Sequence, residues 1–184
     1  STAEGNAEVR KGNISIKADT LRYYYENEDI DAQGNVRLDR SGDVLTGSAI
    51  KYRMKDATGV FDKPDYSLAP RSLPNEIPIS ARGRAESIEF LGEDLYRIRD
   101  GNFTTCEPGN DDWYVEAREL DLDFTRELGT ARGATLVFKG VSIFKSPSFD
   151  FSLNNKRKSG VLPPLFGLGN SKTGPEFTLP YYFN

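Results

Sequence analysis

Asp29 and Asp31 stand two residues apart, as do Asp121 and Asp123, so in an extended chain each pair shares one face. Paired carboxylates are the equipment of general acid–base catalysis. Both pairs, however, fall where the surrounding pattern predicts a solvent face or a turn. The chain also has no histidine, the commonest general base and metal ligand. No enzyme, metal or cofactor is therefore expected. The single cysteine, Cys106, cannot close an internal disulfide. It is either a buried thiol or half of a bridge to a cysteine outside this chain. Its surroundings, 105–111, are a turn-rich run of Glu, Pro, Gly, Asn and Asp.

The elements around these residues follow a repeat. Ala18-Asp19-Thr20-Leu21-Arg22-Tyr23 precedes a polar turn and then Ile30-Asp31-Ala32-Gln33-Gly34-Asn35-Val36. The same two-part unit returns at Ala85-Glu86-Ser87-Ile88-Glu89-Phe90 with Ile98-Arg99-Asp100-Gly101-Asn102-Phe103, and at Ala117-Arg118-Glu119-Leu120 with Ala131-Arg132-Gly133-Ala134. A compressed copy runs from Gly47-Ser48-Ala49-Ile50 to Ala57-Thr58-Gly59-Val60. Periods of about 20–50 residues mark arrays whose single unit cannot bury its apolar face alone. Within each unit apolar and polar residues alternate, which predicts a hairpin of two half-buried strands. Gly34-Asn35 suits a bulge that shifts the strand without ending it.

Strands are expected from the amino terminus to about residue 153. Residues 5–18 read as an early strand with free backbone groups, suited to pairing edge to edge with another sheet. Pro64, Pro70, Pro74 and Pro78 predict a surface loop or lid over 62–78. Residues 116–127 are charged enough for a helix, yet Leu120, Leu122 and Phe124 alternate, and strand is expected. The whole reads as all-β, roughly a dozen antiparallel strands twisted into a jellyroll-like sandwich.

Composition agrees with one sizeable domain plus an appendage. The 184 residues carry a net charge of −4 and 37% apolar residues, with a mean hydropathy of −0.57. That is not the basic balance of a nucleic-acid partner. Because the chain opens at Ser1, a signal peptide is expected to have been removed or left out. At about residue 154 the pattern changes. Lys156-Arg157-Lys158 forms a basic linker, followed by two apolar stretches, 161–166 and 175–183, around a polar turn at 169–174. Each is close to the length of a tilted membrane β-strand. A lone hairpin would leave unpaired edges in lipid, so 159–184 reads as the first hairpin of a longer barrel. The expected domains are 1–153 and 154–184.

These residues resemble the OstA-like repeat of lipopolysaccharide (LPS) transport proteins. The stretch Gly101-Asn102-Phe103-Thr104-Thr105-Cys106-Glu107-Pro108-Gly109, with the terminal run Leu179-Pro180-Tyr181-Tyr182-Phe183-Asn184, is similar to the LPS-assembly family LptD. One departure is the lack of a second cysteine near the amino terminus. The resemblance implies a periplasmic OstA-like β-jellyroll with an open apolar groove, followed by the start of an outer-membrane β-barrel. It implies that LPS arrives from LptA, docked at the amino-terminal edge, and enters the outer leaflet with the lipoprotein LptE. A stand-alone periplasmic shuttle of the LptA/LptC type is the alternative.

On this reading the groove lining is Ile14, Ile16, Leu21, Tyr23, Ile30, Val36, Leu38, Leu45, Ile50 and Tyr52 from the first half. The second half supplies Ile88, Phe90, Ile98, Phe103, Val115, Leu120, Leu122 and Phe138. The same residues packed together would make a closed core, and periodicity does not separate the two. Lys156-Arg157-Lys158 is either a solvated linker or a contact for lipid A phosphates. Cys106 would pair with a cysteine in the barrel. Pro164 and Pro180, which donate no backbone hydrogen bond, would weaken strand pairing and form a lateral gate.

Overall fold

The structure, a computed structural model, describes residues 2–69, 80–153, 160–161, 165–168, 175–178 and 181–182. Period-two alternation becomes strand after strand. They are β1 (Thr2–Lys11), β2 (Ile14–Tyr24), β3 (Asp29–Arg40), β4 (Asp43–Arg53), β5 (Thr58–Asp62), β6 (Asp65–Leu68), β7 (Ala81–Leu91), β8 (Leu95–Phe103), β9 (Trp113–Asp123), β10 (Leu128–Phe138) and β11 (Val141–Ser152). The short strands β12 (Gly160–Val161), β13 (Leu165–Leu168), β14 (Pro175–Thr178) and β15 (Tyr181–Tyr182) follow. No helix occurs among the described residues. The charged stretch at 116–127 is strand through Asp123, because Leu120 and Leu122 bury on one face.

From β1 to β11 strand order follows chain order and every pairing is antiparallel. One place in the sheet is shared. β5 bonds to the 49–53 end of β4 and the 87–91 end of β7, while β6 bonds to 44–46 of β4 and 81–84 of β7. The two act as one strand broken at Lys63-Pro64. Proline cannot donate there, and Lys63 takes a positive φ of 48°. The ladder closes around the break through Lys63 N to Glu86 O, 2.8 Å, and Ala85 N to Pro64 O, 3.0 Å. The expected loop over 62–78 is thus corrected at its start: Pro64 interrupts the sheet and β6 resumes it. Pro70, Pro74 and Pro78 lie outside the described residues.

The expected edge strand over 5–18 is also corrected. Only β1 lies at the edge. Ile16 belongs to β2 and is paired on both sides, to Val9 and to Leu38.

The repeat is visible as geometry. Its two halves are β2–β3, β7–β8 and β9–β10, with β4–β5 the compressed copy. The register shifts between Gln33 and Val36, where Gly34 has φ +76°. A side chain at Gly34 would come within 2.6 Å of Asp19 Oδ2, the atom that accepts from Asn35 Nδ2 at 2.8 Å. Glycine at this bulge therefore follows from both conformation and space.

The sheet doubles over. Tyr96 Oη on β8 donates to Asp43 Oδ2 on β4 at 2.9 Å, and Phe103 on β8 meets Phe151 on β11 with ring centroids 6.0 Å apart. None of these strands are neighbours in the sheet, so the two layers face each other across the core. At the far end β12 pairs in parallel with β11 through Phe151 and Val161, and antiparallel with β15. β13 and β14 form an antiparallel hairpin.

Candidate functional site

The inward residues form one apolar interior running from Ala7 on β1 to Ala134 on β10. Thirteen of the expected lining residues are buried in it: Ile16, Leu21, Ile30, Val36, Leu38, Leu45, Ile50, Tyr52, Ile88, Phe90, Ile98, Leu120 and Leu122. Ile14, Tyr23, Phe103 and Val115 pack against it while partly buried, and Phe138 is half-buried beyond it. The structure adds Phe61, Tyr66 and Tyr96, each nearly inaccessible to water. Tyr96 alternates with Ile98 and was readable from that pattern. Tyr66 falls within 62–78, where the composition points to a loop, and Phe61 ends the expected strand just before it.

Aromatic rings line one end of this interior. Tyr52, Phe90, Tyr96 and Phe124 meet edge to face in sequence, with centroids 5.5, 5.2 and 5.4 Å apart. Two charged side chains are buried beside them, Arg40 and Asp43. Asp43 accepts from Tyr96 Oη and, at 2.9 Å, from the Ala69 amide. Arg40 Nη2 donates to the Glu93 carbonyl in the β7–β8 turn, and its guanidinium lies 5.8 Å from the Phe90 centroid and 5.4 Å from that of Tyr96. Neither charge has a signal in the local pattern, because the partners lie far along the chain.

The carboxylate pairs hold the outer face together. Asp121 binds Arg97 at 2.7 Å and Arg132 at 2.8 Å. Arg99 joins Glu89 at 2.5 Å to Glu119 at 3.0 Å. Burial works against the Asp121 charge, yet the Arg97 and Arg132 hydrogen bonds hold its pKa below the usual carboxylate range. Asp29 pairs with Arg53 at 2.7 Å, and Asp123 Oδ1 accepts from the Arg126 amide. A carboxylate held by two arginines, as Asp121 is, is a poor proton donor at neutral pH. Among the described residues no group of three or more potential ligands is placed to hold a metal ion, and no helix is long and apolar enough to cross a membrane.

The cysteine loop is organised by one residue that sequence reading missed. Arg82 Nε donates to the Cys106 carbonyl at 3.0 Å. Its Nη2 reaches the Glu107 and Asn110 carbonyls at 2.9 and 2.7 Å and the Asp111 carboxylate at 2.8 Å. Buried Thr104 donates through Oγ1 to Trp113 O at 2.7 Å and accepts from the Cys106 amide. Cys106 is half-buried and its thiol is free. Pro164, Pro180 and Lys156-Arg157-Lys158 lie outside the described residues.

No protein-family profile matches the chain. Individual relatives do. The "LPS-assembly protein LptD" of Cupriavidus metallidurans is 43% identical over 181 residues, 98% of this chain and 21% of the relative. The proteins of that name from Azoarcus sp. and Ralstonia nicotianae are each 40% identical, over 99% and 98% of this chain and 23% and 21% of their own length. The chain thus spans between a fifth and a quarter of these relatives. Along that span it belongs to the LPS-assembly protein LptD family.

Proposed function

We propose that the chain is the periplasmic, lipid-handling part of a protein that assembles LPS at the outer membrane. Residues 1–153 form the OstA-like jellyroll, and 154–184 form the linker and first hairpin of a barrel completed by the rest of the longer protein. LPS passes from LptA across the β1 edge, its acyl chains travel along the apolar interior, and the barrel, with LptE, delivers it to the outer leaflet. The work is transport and involves no bond-breaking chemistry. One observation carries the reading: relatives named for LPS assembly match the whole chain, and the chain has a single unbroken apolar interior across its repeats.

The energetics favour such a conduit. Each methylene kept from water is worth about 0.8 kcal/mol, so a twelve- to fourteen-carbon chain needs about 10 kcal/mol of shelter. In this structure the inward side chains pack against one another. Lipid entry requires the two layers to part, with acyl chains replacing side chains as neighbours, so the apolar faces stay dry in both states. In the full protein Cys106 bridges to a cysteine in the barrel. The Arg82 clamp supports this by holding the loop that carries the thiol. Pro164 and Pro180 weaken pairing in the first barrel strands and leave the seam through which lipid passes sideways.

Photo-crosslinking tests the conduit. Probes at Ile16, Phe90 and Leu122, all buried, should label LPS in cells, whereas probes at Lys17, Glu89 and Asp121 on the outer face should not. Equal labelling of both sets removes the interior as the route.

A further inference from the structure

Two buried donors at the aromatic end of the interior have no partner. They are Arg40 Nη1 and Tyr52 Oη. Both residues are almost wholly shielded from water, with 3% and 2% exposure. A buried donor left unbonded costs about 1–3 kcal/mol, and a charged one more. Native proteins rarely leave two such groups side by side.

The two belong to one site. Arg40 and Tyr52 flank the same ring, Phe90, at 5.8 and 5.5 Å from its centroid. Burial pushes the Tyr52 phenol above its ordinary range, and the Arg40 cation pulls the other way, as proximity requires. No carboxylate among the described residues forms a salt bridge to Arg40. Asp43, its register partner, gives its oxygens to Tyr96 and the Ala69 amide. The site therefore offers a positive charge, a guanidinium N–H and a phenol O–H that no hydrogen-bond acceptor receives, with the Glu93 and Asp56 carboxylates acting on Tyr52 only at longer range. Tyr52 also lines an open cleft of about 820 Å³ together with Tyr23, Tyr25 and Ile30, and with charges of both signs, Lys51 and Arg53 beside Glu26, Asp29 and Asp31. The Tyr52 hydroxyl and Arg40 lie buried behind this cleft, which borders that end of the interior. Inward of Tyr52 the next row of the sheet is Ile50, Phe61 and Ile88, all apolar and fully buried.

We infer that Arg40 and Tyr52 bind the anionic oxygen of an amphiphile, a phosphate or carboxylate headgroup admitted when the two layers part, while its apolar chain runs inward past Ile50, Phe61 and Ile88. The anion supplies the missing acceptor for both donors and neutralises a buried cation. This deepens the lipid-handling reading, which the crosslinks at Ile16 and Leu122 test independently of either residue.

The test is binding of dodecyl phosphate, dodecyl maltoside and inorganic phosphate to the chain, below the micellar concentration of each amphiphile. Dodecyl phosphate should bind about a hundred-fold more tightly than the uncharged maltoside, about ten-fold for each of two hydrogen bonds to a charged group, and the Tyr52 bond accounts for one such factor of ten. Tyr52→Phe should remove about that factor for dodecyl phosphate and leave the maltoside unchanged. It should not lower the thermal midpoint of the unliganded chain, since it deletes only an unpartnered hydroxyl. Arg40→Met should abolish the preference for phosphate. If it also unfolds the chain, Tyr52→Phe still decides. Wild-type binding of dodecyl phosphate by Tyr52→Phe would mean that water alone occupies the donors, and would overturn the assignment. So would an equal loss for both amphiphiles, or inorganic phosphate binding as tightly as dodecyl phosphate.

Discussion

The inner and outer faces of the same strands obey different rules. On β8 and β9, Ile98 and Leu120 are in register and point inward into the continuous core. One residue away, Arg97 faces Asp121 and Arg99 faces Glu119, and these pairs join Glu89 and Arg132 in an ion lattice on the outside. The inner face supplies stability through area removed from water. The outer face contributes little energy per pair but makes a register slip costly, because a one-residue shift would turn Arg97 and Arg99 into the core. The conduit proposed above would need this division: an interior that accepts any acyl chain, and an exterior that fixes where the interior is.

The largest effect should come from truncating the inner face. Phe61→Ala removes a ring with no exposure from β5, and should cost about 3–5 kcal/mol in a urea titration. A loss under 1 kcal/mol would mean that β5 does not bear on the core and would erase the contrast.

Arg82→Ala should come next and sharpen the comparison, because this strand residue binds a loop and joins neither the core nor the ion lattice. It removes hydrogen bonds to three carbonyls and one carboxylate in the cysteine loop and should cost about 2 kcal/mol. The loss should be local: amide exchange should quicken across 104–112 while β2 and β3 keep their protection. Uniform loss across the sheet would make Arg82 part of the core rather than a clamp.

The outer face should respond least. Asp121→Asn should cost no more than about 1 kcal/mol at neutral pH, and less in high salt. Since the folded state lowers the Asp121 pKa, its stabilisation is present above the unfolded value of about 3.9 and disappears as pH falls through the lower folded value. The wild type and Asp121→Asn should therefore differ at pH 7 and converge in urea midpoints as the pH falls below the unfolded value and through the lower folded one. A gap that widened on acidification would reverse the assigned sign.

Much of this architecture is legible in the residues alone. Alternation such as Ile88-Glu89-Phe90 is a local signal, complete within one strand, and it assigns both the strand and its buried face. The hairpin repeat and the Gly34-Asn35 bulge are local too, since a positive φ beside a polar side chain favours few residue types. The doubling of the sheet was decided elsewhere. Tyr96 finds Asp43 53 positions away in sequence, and Arg40 finds Glu93 at the same separation, so no window of the chain holds both partners. Pro64 reads as a loop because proline cannot donate. Only the tertiary structure supplies Glu86 and Ala85 on β7, whose bonds carry the sheet past it to β6. The period of the side chains thus determined the faces, and the folding of one sheet onto itself determined which buried polar groups meet there.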